Sequence, residues 1–231
     1  MPLRMTEGFP VAPVTRRRRH ATKSKDYEAA ASEATAARAA AEGARPAGRK
    51  LGVPRRRQRQ ADWCWAACVD MVLHFYGQPR VEQCEIVGRR IKRADCCDDP
   101  KNEEFGVSCA PKFMRGVWLA WGLAARSHLP RKGRLGWITE AALRRELDEG
   151  RPVEVGLRWA NGGGHAVVVR GWRAARGGAY YYVNDPWNWT GDPREKFFDE
   201  GVGQVSYREL RTAYGMGRWR WTWTGLRPGG V

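Results

Sequence analysis

The chain has 231 residues and a formal net charge of +16 at pH 7, a size that suits one domain with a tail or two small domains. All 12 tryptophans lie at or after Trp63, whereas Phe9 and Tyr27 are the aromatic residues of the first 60 positions. No segment approaches the roughly 20 apolar residues of a membrane-spanning helix. The arginines at 16–19 are followed by a polar segment where a secretory signal would be apolar. We therefore expect a soluble protein with no visible export address.

The positive charge is concentrated at the front of the chain. Residues 1–60 hold 15 Lys and Arg against 5 Asp and Glu, a net of +10, and the remainder holds 26 against 20, a net of +6. Such a segment buries too little apolar surface to fold, so residues 1–50 are predicted to be a disordered basic tail or a propeptide-like linker. The tail is either a solvated arm or a non-specific site for an anionic partner. The folded domain is expected over 51–227, with a flexible C-terminus at 228–231.

Helical spacing dominates the first half of this domain. Apolar residues follow Cys64 every three or four positions until Gly77, which predicts a helix of about three turns that begins at the cysteine. Further helices are predicted over 81–91, over 111–121, and from Thr139, a suitable N-cap, to about 149. A polar loop that contains cysteines separates the second helix from the third.

Strand-like segments follow residue 152. The stretches PVEVGLRWA, HAVVVRGW and AYYYVND are β-branched and aromatic and are separated by glycine-rich turns. SYRELRTAYG reads as a short helix or turn, and RWRWTWTG alternates as a last strand. That alternation predicts the indoles of Trp219, Trp221 and Trp223 on one face. Helices first and an antiparallel sheet after define an α+β fold.

Three residues stand where a thiol enzyme would need them. Cys64 opens a helix whose dipole favours a thiolate, which matters because a free thiol with a pKa of about 8.5 is only a few per cent ionised at neutral pH. His165 enters a strand and can serve as the base, and Asp185 leaves another strand and can orient the histidine. Gln58, six residues before Cys64, can direct an amide at an oxyanion. Each residue also has an ordinary structural role, so it is their joint order that indicates catalysis.

The segment QRQADWCWAACVDMVLHFYG resembles the catalytic helix of papain-like cysteine peptidases. Together with GGHAVVVRGW and YYVNDPW, it is most similar to the branch that includes bacteriocin-processing double-glycine peptidases and secreted bacterial papain-like effectors. The resemblance covers about residues 51–226. It implies an N-terminal helical subdomain that carries the nucleophile and packs on a C-terminal antiparallel sheet.

The same resemblance implies Cys64 as nucleophile, His165 as general base and acid, Asp185 as orienter and Gln58 as oxyanion donor. No cofactor or metal is implied, and the expected substrate is a protein or peptide. Two other assignments stay open in the sequence: Gln60 for the oxyanion and Asn184 for the orienter. Cys68 is a rival nucleophile, but it lies one helical turn deeper, which fits a core or disulfide role better.

Six cysteines are more than a reducing compartment usually supports without a metal or catalytic reason. With Cys68 placed in the core, two disulfides are expected among Cys84, Cys96, Cys97 and Cys109, one to each member of the adjacent pair. Adjacent cysteines suit a tetrahedral zinc site poorly. Disulfides would indicate a secreted or exported protein.

Peptide hydrolysis is the leading functional hypothesis. Deamidases, transglutaminases and acyltransferases use the same three residues and the same acyl-enzyme. Another alternative is an inert papain-like scaffold that binds nucleic acid or protein through its basic tail. A third is that the tail is a propeptide that the enzyme removes between about residues 43 and 57.

Overall fold

A computed structural model describes residues 47–98, 109, 117–130, 136–187 and 192–229. The predicted tail therefore lies outside the described residues except for its last four positions, and residues 230 and 231 of the predicted C-terminus also lie outside. None of the helices in the described ranges combines the length and the apolar character needed to cross a membrane.

The described chain contains five α-helices and eight strands. The helices are α1 (Cys64–Phe75), α2 (Gln83–Ile91), α3 (Val117–Ala120), α4 (Glu140–Asp148) and α5 (Tyr207–Arg211). The strands are β1 (Gly48–Lys50), β2 (Leu123–His128), β3 (Val153–Trp159), β4 (Gly164–Ala175), β5 (Gly178–Asn184), β6 (Phe198–Asp199), β7 (Val202–Ser206) and β8 (Gly217–Pro228). Single turns of 3-10 helix span Asp95–Cys97 and Pro193–Phe197.

All eight strands form one antiparallel sheet in the order β2-β8-β3-β4-β5-β7-β6, and β1 pairs with the second half of β4. The helix that begins at Cys64 precedes seven of these eight strands in the chain, which confirms the predicted α+β architecture. β1 starts at Gly48, so the sheet recruits three residues ahead of position 51.

Helix α1 is a core helix. Its residues are apolar on nearly every side, and Ala67, Cys68 and Met71 are fully buried. A helix without a broad polar face is stable only when neighbouring elements cover it. Gly77, with φ of +70°, takes the left-handed conformation just past the helix end, as the sequence suggested. The nucleophile candidate therefore sits at the first turn of a firmly packed element.

Of the helix expected over 111–121, residues 111–116 lie outside the described residues and Val117–Ala120 is helical. The next strand, β2, was not predicted, and the prediction for the tryptophans of the last strand was wrong. The three indoles do not share a face. Trp221 pairs with Gly156 while Trp219 pairs with Leu157, so a β-bulge between them turns Trp219 to the opposite side.

The cysteine pattern was predicted correctly. Disulfides join Cys84 to Cys97 and Cys96 to Cys109, so each adjacent cysteine takes one partner. Cys64 and Cys68 are the free cysteines.

Candidate active site

Cys64 is the first residue of α1 and is 9% exposed. The first N–H groups of a helix have no partner within it, and they give this end a partial positive charge. Trp63, the N-cap residue, makes no side-chain hydrogen bond to the first turn. The sulfur therefore lies at the positive end of the helix.

His165 lies near the start of β4, opposite Leu157 of β3, and is 6% exposed. Its Nε2 is 2.6 Å from Oδ1 of Asp185, a residue with no exposed surface. Because an ionised carboxylate only accepts hydrogen bonds, Nε2 carries the proton and donates it. The imidazole also forms a side-chain hydrogen bond with Cys64. The three residues selected from the sequence thus meet in space.

The imidazole is held in its protonated form. Burial alone would lower the pKa of His165, but the charge of Asp185 and the hydrogen bonds with Asp185 and Cys64 outweigh burial and raise the pKa to about 10. A histidine with this pKa is a cation at neutral pH. A cation hydrogen-bonded to a thiol favours the thiolate, which is the form that attacks carbon.

The structure distinguishes Asp185 from its neighbour Asn184. Asp185 Oδ1 accepts from the backbone N–H of Trp187 at 2.8 Å as well as from His165. The Asn184 side chain accepts from Arg170 at 2.7 Å and donates to the carbonyl of Val53 at 2.9 Å. The group in contact with the histidine is therefore the carboxylate, and the neighbouring amide is used to join β4 and β5 to the chain before α1.

Gln58 is buried close to the start of α1, but its amide is occupied. Nε2 donates to the carbonyl oxygens of Gln60 at 2.8 Å and Ala61 at 2.6 Å, which uses both of its N–H groups. Oε1 has no hydrogen-bond partner within the described part of the chain. Exchanging the two amide atoms would set an oxygen against two carbonyl oxygens, so this orientation is the favourable one. Gln60, the rival candidate, contributes its backbone carbonyl to this loop.

Cys68 has none of the features of a nucleophile. It is fully buried one turn below Cys64. Burial raises the pKa of its thiol well above the ordinary value, and the nearby charges of Glu154, Cys64 and Asp185 raise it further. Buried thiols of this kind stay protonated and inert.

One aromatic neighbour of the histidine was missed in the sequence. The Trp159 ring stacks on the imidazole of His165, with centroids 5.8 Å apart and planes 22° apart. The guanidinium of Arg194 lies 5.0 Å from the centroid of the Trp159 ring. Arg194 also forms an ion pair with Asp192. Trp159 ends a predicted strand, but its stacking depends on the β3–β4 pairing, which has no local sequence signal.

A hydrogen bond links one of the disulfides to the residue that precedes the nucleophile candidate. The indole nitrogen of Trp63 donates to the backbone carbonyl of Cys109 at 2.7 Å, and both residues are buried. Cys109 is disulfide-bonded to Cys96. The residue before Cys64 is therefore anchored to a cross-linked part of the chain.

Metal-ligating groups also meet near this disulfide. A carboxylate oxygen of Asp95 and the sulfurs of Cys96 and Cys109 lie within 4.8 Å of one another. The two sulfurs are joined in the Cys96–Cys109 bond, so neither is a free thiolate that could bind an ion.

A cysteine at a helix start bonds a buried histidine, and that histidine bonds a buried aspartate of the following antiparallel sheet. This is the arrangement of a papain-like cysteine peptidase. Residues 48–195 match the family described as "Papain-like cysteine protease AvrRpt2", which covers more than half of the chain. The chain belongs to this family and is a papain-like cysteine peptidase.

Solved structures similar to the chain include the following two. One is a double glycine motif protease from an AMS/PCAT transporter in complex with the leader peptide, with 20% identity, a TM-score of 0.42, and coverage of 78% of this chain and 94% of that chain. The other comes from a study of the mite allergens Blo t 1 and Der p 1, with 12% identity, a TM-score of 0.49, and coverage of 80% and 72%. No curated protein matches the chain significantly.

Proposed function

We propose that the chain hydrolyses peptide bonds through an acyl-enzyme on Cys64. The observation that carries this proposal is the hydrogen-bonded series in which Asp185 holds His165 at 2.6 Å and His165 bonds Cys64 at the start of α1. The raised pKa of His165 supplies a proton at neutral pH, and the helix start supplies a favourable site for the thiolate.

The reaction then has two halves. In the first, the Cys64 thiolate attacks the peptide carbonyl carbon, and the His165 imidazolium gives its proton to the leaving amine as the C–N bond breaks. In the second, neutral His165 takes a proton from water, the resulting hydroxide attacks the thioester, and the carbonyl re-forms as the thiolate leaves. Asp185 keeps the ring in one orientation by accepting its hydrogen bond.

The backbone N–H of Cys64 and the amide of Gln58 are the proposed oxyanion donors. Because both N–H groups of Gln58 bond carbonyls in the loop at 60–61, one of them must turn to the oxyanion when substrate binds. The exchange gives up one hydrogen bond to a loop carbonyl and forms one to the charged oxygen, which is the stronger acceptor.

The decisive experiment is a peptide-library cleavage assay with wild type, Cys64→Ala and Cys68→Ala. We expect cleavage by wild type and by Cys68→Ala and none by Cys64→Ala. Cleavage by Cys64→Ala would contradict the proposal. Deamidase, transglutaminase or acyltransferase chemistry would instead modify side chains or transfer acyl groups without cutting the peptides, and it would still require Cys64.

The tail and the cellular setting complete the proposal. Two disulfides are typical of an oxidising environment, which supports an exported protein.

The basic tail is proposed either to be removed by the enzyme itself or to attract an anionic partner. In the same wild-type and Cys64→Ala preparations, self-removal would shorten only the wild type. A salt-dependent nucleic-acid affinity that persists in Cys64→Ala would favour the binding role.

A further inference from the structure

An arginine outside the proposed mechanism contacts the turn that carries Asp185. Arg55 Nε donates to the carbonyl oxygen of Asp185 at 3.1 Å, and Nη2 donates to those of Trp187 at 3.2 Å and Pro186 at 3.4 Å. Three consecutive carbonyls thus converge on one guanidinium. The planar fork of arginine suits such a set, whereas the point charge of lysine does not.

This contact crosses the site. Arg55 lies three residues before Gln58, whose backbone N–H also donates to Pro186 O at 3.0 Å. The segment that leads into α1 therefore runs along the turn after β5. These hydrogen bonds connect the turn that carries Asp185 to the segment that leads into the helix of Cys64.

Gly201 shows how closely the contact is built. Its φ is +80°, and a Cβ there would lie 2.5 Å from both Arg55 Nε and Asp185 O. The Gly201 carbonyl also accepts from the Asp185 backbone N–H at 2.7 Å. Any side chain at 201 would displace the guanidinium from the turn.

We propose that Arg55 is a positioning residue that holds the turn at 185–187 so that Asp185 stays against His165 and the His165–Cys64 pair stays reactive. This inference rests on the proposed function of the three residues. Arg55 acts through the backbone of the turn and contacts no reacting atom.

The test measures the rate at which iodoacetamide alkylates Cys64 between about pH 5 and about pH 9. The variants are Arg55→Met, Arg55→Lys and Gly201→Ala. Arg57→Met controls for loss of a nearby exposed arginine. Gly177→Ala controls for the backbone strain at 201, because Gly177 has φ of +86° and a Cβ there would meet nothing within 4 Å.

We expect Arg55→Met and Gly201→Ala to slow alkylation at acidic pH about tenfold, since small displacements of catalytic groups have effects of this size or larger. Their pH profiles should move toward that of an ordinary thiol. Arg55→Lys should recover the rate only in part, and both controls should match wild type.

A folded Arg55→Met protein with the wild-type profile would overturn the inference. If Arg55→Met fails to fold, the comparison of Arg55→Lys with wild type decides, and a wild-type profile there overturns it equally. A His165→Ala protein that reacts as fast as wild type would instead overturn the proposed function itself, so the two failures are distinguishable.

Discussion

At the scale of single residues, two buried acids of this domain differ in their surroundings. Asp185 accepts hydrogen bonds from His165 and from the Trp187 backbone. Glu154, on β3, is fully surrounded by protein, and its Oε1 has no partner among the described residues. Burial raises the pKa of Glu154 to about 8 from 4.5. At neutral pH the folded protein therefore keeps a proton on Glu154 that the unfolded chain releases.

Glu154→Gln should make stability less dependent on pH. Between the unfolded and folded pKa values of Glu154, unfolding releases a proton, so the free energy of unfolding of the wild type falls as pH rises from about 5 to 8. At about 1.4 kcal/mol per unit over these three pH units, the glutamate accounts for a fall of about 4 kcal/mol. His165, whose folded pKa is also raised, adds a fall of the same sign above about pH 6.5 that the variant retains. Urea unfolding at several pH values measures both, and parallel curves for variant and wild type would contradict the prediction.

At the scale of elements, the start of α1 depends on a contact with a distant part of the chain. Trp63 does not cap the helix with its side chain, and instead its indole donates to Cys109 O at 2.7 Å. Trp65, two residues on, is equally buried, but its indole nitrogen has no partner among the described residues. The two indoles differ in this hydrogen bond.

Trp63→Phe should therefore destabilise the protein more than Trp65→Phe. Both variants lose the same volume, but only the first leaves a buried carbonyl without its donor, at a cost of about 1–3 kcal/mol. The free energy of unfolding in urea gives the comparison. Equal losses in the two variants would show that the bond to Cys109 contributes nothing.

Helices and strands with strong periodicity could be predicted from sequence, and those defined by partners could not. The helix at Cys64 and the strands around His165 and Asp185 have local apolar patterns. β2, with the sequence LAARSH, lacks β-branched residues and is a strand because it pairs with β8. The bulge that separates Trp219 from Trp221 is likewise fixed by pairing with β3. The stacking of Trp159 on His165 and the hydrogen bonds of Arg55 to the turn after β5 likewise depend on residues far apart in the sequence.

At the scale of the whole molecule, two disulfides of equal span have different neighbours. Cys84–Cys97 and Cys96–Cys109 each have a sequence separation of 13. Only the second includes the residue that accepts from Trp63. With Cys68 placed in the core, the sequence predicted that Cys84 and Cys109 each pair with one of the adjacent cysteines. The choice between Cys96 and Cys97 depends on three-dimensional placement.

Removing either disulfide by a double Cys→Ala change should cost a similar free energy of unfolding, about 3 kcal/mol for loops of this length. The loss of Cys96–Cys109 should in addition slow the alkylation of Cys64, because it loosens the anchor of Trp63. Loss of Cys84–Cys97 is the matched control. Equal alkylation rates in the two double variants would contradict this coupling.

The central claim is that Cys64 is a nucleophile activated by His165, and the most direct test maps the thiol that reacts with iodoacetamide. Wild type and His165→Ala would be treated at mildly acidic pH and digested, and the modified cysteine would be located by mass spectrometry. We predict a single adduct on Cys64 in wild type and a rate at least about tenfold lower in His165→Ala. An adduct on Cys68, or equal labelling of Cys64 in both proteins, would contradict the claim.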